Sequence, residues 1–242
     1  MVKVSEKGRL SVVGTPIGNL EDISLRALRI LKEADFILCE DTRVTKKLLS
    51  HHGISTATIS YHQHSGAPKV DKIISLLTTG KKLALVTDAG TPGISDPGGY
   101  LVSAVREALL EKVEIESVPG PTALTAAISL AGIGFDRFFF LGFPPHKKGR
   151  QTMMREIAVS NYPVIVYESK HRATRFLEEL AVAAQEKGRE VIVSVARELT
   201  KMHESFYSGS PEEVLEEIKS DAHNLKGEFV IMIRPKKKIQ TS

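Results

Sequence analysis

Side chains able to accept a proton recur just behind short apolar runs of this sequence: Glu40, Asp41, Asp88, Glu168, Glu198 and His203. Each could serve as a general base toward a weak nucleophile such as a hydroxyl. Spacing alone selects none of them. Arg43 and Arg197 stand beside these acids as equally good salt-bridge partners for Glu40 or Glu198. The richest host segment is 88–99, DAGTPGISDPGG, with four glycines and two prolines between an apolar run at 83–86 and a helix-like stretch at 100–112. Such a loop leaves its backbone uncovered, so a ligand can lie directly against it. Its two aspartates, Asp88 and Asp96, argue against a phosphate cradle, which needs amide N–H groups and cations. A ligand with a positive or neutral reactive end suits the loop better than a nucleoside triphosphate.

Strands and helices must alternate to hold these groups. Strands are predicted at 10–14, 36–40, 57–61, 83–87 and 113–118, and helices at 24–34, 45–51, 68–78 and 100–112. In 24–34, Leu25, Leu28 and Leu31 share one side while Arg26, Arg29 and Lys32 point away. This is the βαβ rhythm of an open, mostly parallel sheet. PGPTA at 119–123 leads into a helix at 124–131, with Gly120 expected as its cap and Pro121 in its first turn. A Gly- and Pro-rich stretch at 132–150 follows and ends in a basic segment at 146–150. Beyond it come strands at 163–167, 190–196 and 228–234, with helices at 171–187 and 211–220, the latter opened by a Ser210–Glu213 capping box. The expected fold class is α/β, as two α/β domains, 1–119 and 120–242. Six polar loops follow predicted strands: 14–19, 40–43, 88–99, 119–123, 167–172 and 196–204. Ligands of open α/β sheets bind outside the carboxyl ends of strands, so one crevice between the halves is expected.

Composition removes several classes. The 242 residues are 42% hydrophobic, enough for a full core and against disorder. No apolar run approaches a membrane span, and the opening residues lack a secretory apolar stretch, so a cytoplasmic location and no membrane partner are expected. Cys39 is the one cysteine, which excludes an intrachain disulfide and a cysteine-based zinc site. The eight histidines form no H-x-x-x-H pattern, so no metal is expected. A net charge of +4 permits a nucleic-acid partner without requiring one. The first strand-loop-helix resembles a dinucleotide-binding entry, but Pro16 and Asn19 occupy positions where G-x-G-x-x-G needs glycine, which rejects NAD.

The motifs GTPIGNLEDIS, EDTR, DAGTPGISDPG, VPGPTA, LGFPP, YESKHR and RELTKMHE occur in that order between residues 10 and 234. Together they closely resemble the ribosomal RNA small-subunit methyltransferase I family, which is similar in fold to the tetrapyrrole (corrin and porphyrin) methylases. The resemblance implies S-adenosylmethionine as cofactor in an interdomain cleft, 2′-O-methylation of a cytidine ribose in the decoding region of small-subunit rRNA, and a homodimer. It implies cofactor contacts at Asp88, Gly90, Thr91, Ile94, Thr122 and Ala123, and further ones at Tyr167, Ala196 and Gly227. Gly14 and Pro16 are expected to shape the substrate side or the cleft floor. The acids and bases of EDTR and RELTK make Glu40, Asp41, Arg43 and Glu198 the candidate catalytic residues.

An RNA substrate also needs phosphate contacts. Lys147, Lys148, Arg150, Lys170 and Arg172 are the expected RNA-binding residues, with Lys46–Lys47 and the tail lysines 236–238 as further clusters. Tyr61, His62 and His64 are placed to stack on a splayed base. The substrate is expected to be naked small-subunit rRNA or the assembled subunit. Two alternatives stay open here: a methylase of the same fold acting on a small tetrapyrrole or a protein, and a ribosome assembly factor that has lost catalysis.

Overall fold

A period of two governs the strands of the first half. In β2 (Phe36–Cys39), Ile37 and Cys39 enter one buried apolar cluster and Leu38 enters another, because successive strand side chains point to opposite faces. β1 (Gly8–Val13) repeats the pattern with Val13 and Leu10. A sheet buried on both faces needs helices on both. α1 (Leu25–Glu33) and α2 (Thr42–His51) supply Ala27, Ile30, Leu31, Leu48 and Leu49 to the first cluster. α3 (Ala67–Thr78) and α4 (Gly98–Leu109) supply Val70, Ile73, Leu77, Leu101, Val105 and Leu109 to the second. With β3 (Thr58–Ser60), β4 (Lys82–Leu85) and β5 (Val113–Val118), the strands form a wholly parallel sheet in the order β3-β2-β4-β1-β5.

The computed structural model describes residues 7–62, 65–96, 98–132, 134 and 136–236. It divides the chain into two compact units, Met1–Thr122 and Ala123–Ser242. The expected stacking residue His64 and the tail residues Lys237 and Lys238 lie outside the described residues, as does Pro97 of the Gly-rich loop.

Polar side chains set several helix starts. Ser24 caps α1 by accepting from the Ala27 amide at 3.1 Å. Asp41 caps α2 through the Arg43 amide at 2.8 Å, so this helix begins three residues before the expected Thr45. Asp96 accepts from the Gly98 amide at 2.7 Å, and α4 starts there rather than at Tyr100.

The second unit differs from the first. α5 (Ala123–Ala131) is followed by β6 (Phe139–Phe140), α6 (Arg150–Val159), β7 (Val164–Ser169), α7 (Ala173–Glu186), β8 (Val191–Arg197), β9 (Ser205–Gly209), α8 (Pro211–Lys219) and β10 (Glu228–Pro235). The sheet order is β6-β7-β10-β8-β9; β6 runs parallel to β7, and the other pairs are antiparallel. α6, α7 and α8 pack on one face around Phe176, Leu177, Leu180, Val214 and Ile218, while α5 contacts β8 and β10. Full burial of a Phe or Leu side chain stabilises by ~1.5–3 kcal/mol, so this cluster is the unit's main source of stability. β6, α6 and β9 fall in segments to which the sequence pattern assigns no strand or helix. Gly120 and Pro121 precede α5 without entering its first turn, contrary to the capping role expected of them. The Ser210–Glu213 capping box is present. No helix among the described residues is long and apolar enough to cross a membrane.

Candidate functional site

All strands of the first sheet are parallel, so 14–19, 40–43, 88–96 and 119–122 emerge from one edge. Their backbones interlock. The Gly14 amide donates to Val118 O at 3.0 Å, and a Cβ on Gly14 would fall 2.7 Å from Gly120 Cα. Only glycine at both positions allows that approach. Thr15 and Gly90 exchange backbone hydrogen bonds of 2.9 and 3.2 Å, and Thr91 Oγ1 donates to Pro121 O at 3.1 Å. The loops after β1, β4 and β5 thus share one wall.

The Gly-rich loop folds around its own aspartate. Asp96 accepts from the amides of Gly93 at 2.7 Å, Ile94 at 3.1 Å and Gly98 at 2.7 Å. Those donors are engaged internally and do not form an anion cradle. Gly90 (φ +86°) and Gly93 (φ +98°) take backbone conformations that side chains resist, and a Cβ on Gly93 would meet nothing within 4 Å. The loop therefore offers an open backbone surface at Gly93.

Carboxylates gather beside it. Thr87 Oγ1 donates to Glu40 Oε1 at 2.5 Å, and Asp88 Oδ1 accepts from the Asp41 amide at 3.0 Å. Those two bonds dock EDTR against the Gly-rich loop. The Arg43 guanidinium pairs with Asp41 at 2.6 Å and, with the Arg43 amide, holds that carboxyl down to about 2. Asp41 is a weak base in consequence. Glu40, Asp41, Asp88 and Arg43 are brought together, and Thr87 joins them; its place directly before the Gly-rich loop is the one sequence signal for it.

In the second sheet, β7 and β8 both run antiparallel to β10, so their carboxyl ends share an edge with the start of β10 and, through β6, with 141–145. Here Tyr167 Oη accepts from the Leu124 amide at 3.1 Å and its ring meets the edges of Phe140 and Phe143. Burial pushes the phenol up, against the pull of that amide bond. Gly227 (φ +110°) lies under Glu198, whose Cγ would stand 2.5 Å from a Cβ there. Lys201 Nζ bridges Glu198 at 3.0 Å and Glu228 at 2.8 Å. Burial would raise the Glu198 carboxyl, but hydrogen bonds from Lys201 and the Glu228 amide outweigh it and leave the group below its usual range. Buried Arg197 donates to the carbonyls of His203, Lys226 and His223, tying two loops together.

Several expected contacts are corrected by burial. Arg150 is 2% exposed: its Nε binds Glu179 and its Nη1 faces Glu168 and Pro145 O, so it does not reach an RNA phosphate. Arg172 is held by Glu168 at 2.8 Å and Pro144 O at 3.0 Å, which makes it a brace for the LGFPP turn. Lys147, Lys148 and Lys170 are exposed. Ala196 is fully buried in β8 and offers no surface to a ligand. Tyr61 is 2% exposed in the α3–α4 cluster and cannot stack on a base, whereas His62 is exposed. Lys236 pairs with Glu190 at 2.7 Å.

A family model described as Tetrapyrrole (Corrin/Porphyrin) Methylases matches residues 9–215. The chain belongs to that family. Within these methylases, its curated relatives include the Ribosomal RNA small subunit methyltransferase I of Hydrogenobaculum sp., 43% identical over 227 residues that cover 93% of this chain and 95% of the relative. The protein of the same name from Thermotoga maritima is 41% identical over 208 residues, covering 86% and 90%. Among solved structures, the uroporphyrin-III-C-methyltransferase of Thermus thermophilus superposes with a TM-score of 0.65 over 94% of each chain, at 19% identity. That last likeness is one of fold. The chain is accordingly a methyltransferase-family enzyme of the ribosomal RNA small subunit methyltransferase I branch.

Proposed function

We propose that this methylase uses S-adenosylmethionine to methylate the 2′-hydroxyl of a cytidine ribose in the decoding region of small-subunit rRNA. The observation that carries the reading is the acid-lined, Gly-rich wall of the first unit in a chain more than 40% identical to rRNA small subunit methyltransferases I over most of its length. The residues fit such a donor. Carboxylates of Glu40 and Asp88 suit a ligand carrying a sulfonium and an ammonium, and the open backbone at Gly93 leaves room for it.

We assign the donor's contacts to Asp88, Gly90, Thr91, Ile94, Thr122 and Ala123. Tyr167 acts as a positioning residue, its hydroxyl fixing the start of α5 next to Ala123. Gly227 is likewise positional, since it seats Glu198. When bound, S-adenosylmethionine supplies a methyl group already activated by its sulfonium charge. The protein must then hold the 2′-oxygen in line and accept its proton. Asp41 is too weakly basic for the second task, and Glu198 is engaged by Lys201. Among the groups left we assign that role to Glu40, whose Oε1 is fixed by Thr87 beside the Gly-rich loop, and its Oε2 to the acceptor hydroxyl. Arg43 keeps Asp41 ionised and the EDTR turn in place. Lys147, Lys148 and Lys170 contribute phosphate contacts. We place the enzyme in the cytoplasm and, following its resemblance, as a homodimer.

The test supplies labelled donor together with three acceptors: small ribosomal subunits lacking their modifications, a tetrapyrrole, and unmodified ribosomal protein. Label in the subunit RNA is the expected result. Label in the tetrapyrrole or the protein overturns the substrate assignment, and donor binding without transfer to any acceptor overturns catalysis.

A further inference from the structure

The exposed side of α2 is cationic, and of its cations Arg43 is opposed by Asp41 while Lys46 and Lys47 are not. Thr45, Leu48 and Leu49 are buried, while Arg43, Lys46, Lys47, Ser50 and His51 are exposed along the other face. The helix contains no carboxylate. Among the other helices, α1, α3, α4, α6, α7 and α8 all mix cations with at least one acid, and α5 has no charged residue. Lys46 and Lys47 join none of the ion pairs found among the described residues. Helix stability does not explain the stripe: a cation helps a helix only in its last turn, and Arg43 stands in the first, where the macrodipole opposes it.

The start of the stripe is fixed in the site. Asp41, which caps α2, is bonded to Asp88 through its amide, and Glu40 is bonded to Thr87. From there the face runs to His51, ~12 Å away at ~1.5 Å per residue. Two lysines outside any ion pair of the described residues, followed by exposed His51 and leading from a site that receives a ribose, match a sugar–phosphate backbone in charge and direction. We infer that the exposed face of α2 is a phosphate track for the single-stranded RNA that presents the acceptor ribose, an inference that rests on the rRNA reading above.

The experiment compares the wild-type enzyme with Lys46→Gln/Lys47→Gln and with a control, Lys7→Gln/Lys112→Gln, which removes the same charge from exposed positions at the opposite, amino-terminal edge of the sheet. Binding of small-subunit RNA is followed against salt, and methyl transfer to small subunits against subunit concentration. Each phosphate contact to a single strand contributes ~0.7 to the slope of log K against log salt, so the α2 variant should lose ~1.4 of slope. Its KM for subunits should rise about tenfold, with kcat, donor affinity and thermal midpoint within about twofold or a degree of wild type. The control should match wild type throughout. An α2 variant with unchanged slope and KM, or a control that loses as much, overturns the track while leaving the rRNA reading intact. A wild-type enzyme that binds donor but methylates no subunit overturns the rRNA reading itself.

Discussion

Glu40 and Asp41 are neighbours in sequence with opposite duties. Asp41 faces its own helix and Arg43, and its carboxyl sits at about 2. Glu40 is fixed through one oxygen by Thr87. Replacing Glu40 by Gln should cut kcat by ~10²–10⁴, the usual contribution of a positioned base, with donor affinity changed less than about twofold. Equal losses in kcat and donor binding would instead make Glu40 a binding residue. Asp41 makes a pH prediction. Its folded pKa lies below the ordinary carboxylate value, so its contribution to stability is complete above about pH 4 and disappears as pH falls through about 2. Thermal midpoints of wild type and Asp41→Asn should therefore differ at pH 6 and converge by pH 2. A constant difference across that range would show that the pairing with Arg43 does not stabilise the fold.

At the scale of elements, the LGFPP turn and the start of α6 depend on buried charge. Arg150 joins Glu168 and Glu179, and Arg172 clamps Pro144 O, all beneath a surface where Lys147 and Lys148 are exposed. Removing one partner of a buried pair leaves the other charge uncompensated, at a cost of ~3–5 kcal/mol. Glu168 keeps Arg172 and Glu179 keeps Arg175, so Arg150→Met should lose less than that, ~1.5–3 kcal/mol, in denaturant unfolding. Lys147→Ala/Lys148→Ala should lose almost none, and should raise KM for subunits. The reverse pattern would return Arg150 to the RNA surface. This pair also marks what the sequence could and could not disclose. The first sheet was legible because its apolar runs alternate and end at Gly, Pro and Asp, and the motif loops lie at strand ends where a parallel sheet must put them. Helix starts were misjudged where Asp41 and Asp96 cap from outside the apolar pattern. α6 was missed because it begins behind Gly149 without a side-chain cap, and β6 because two residues carry no period. Arg150 reads as one more cation in a basic run; the acids that bury it lie 18 and 29 residues away.

For the molecule as a whole, two units of different sheet topology each collect their motifs at a single edge: an all-parallel sheet in Met1–Thr122 and a mixed one in Ala123–Ser242. A net charge of only +4 means that affinity for RNA must come from local clusters, Lys46–Lys47 and Lys147–Lys148 above all, rather than from the overall field. Methylation at sub-saturating subunit concentration should consequently fall steeply between about 50 and 200 mM salt while donor binding changes little. Parallel loss of both would place the salt effect at the donor. The central claim concerns the atom that receives the methyl group. Small subunits methylated in vitro with labelled S-adenosylmethionine should be digested to nucleosides and the labelled product identified by mass spectrometry. The account predicts 2′-O-methylcytidine from the decoding region, absent with Glu40→Gln; label on a base, or on the ribose of another nucleoside, would contradict it.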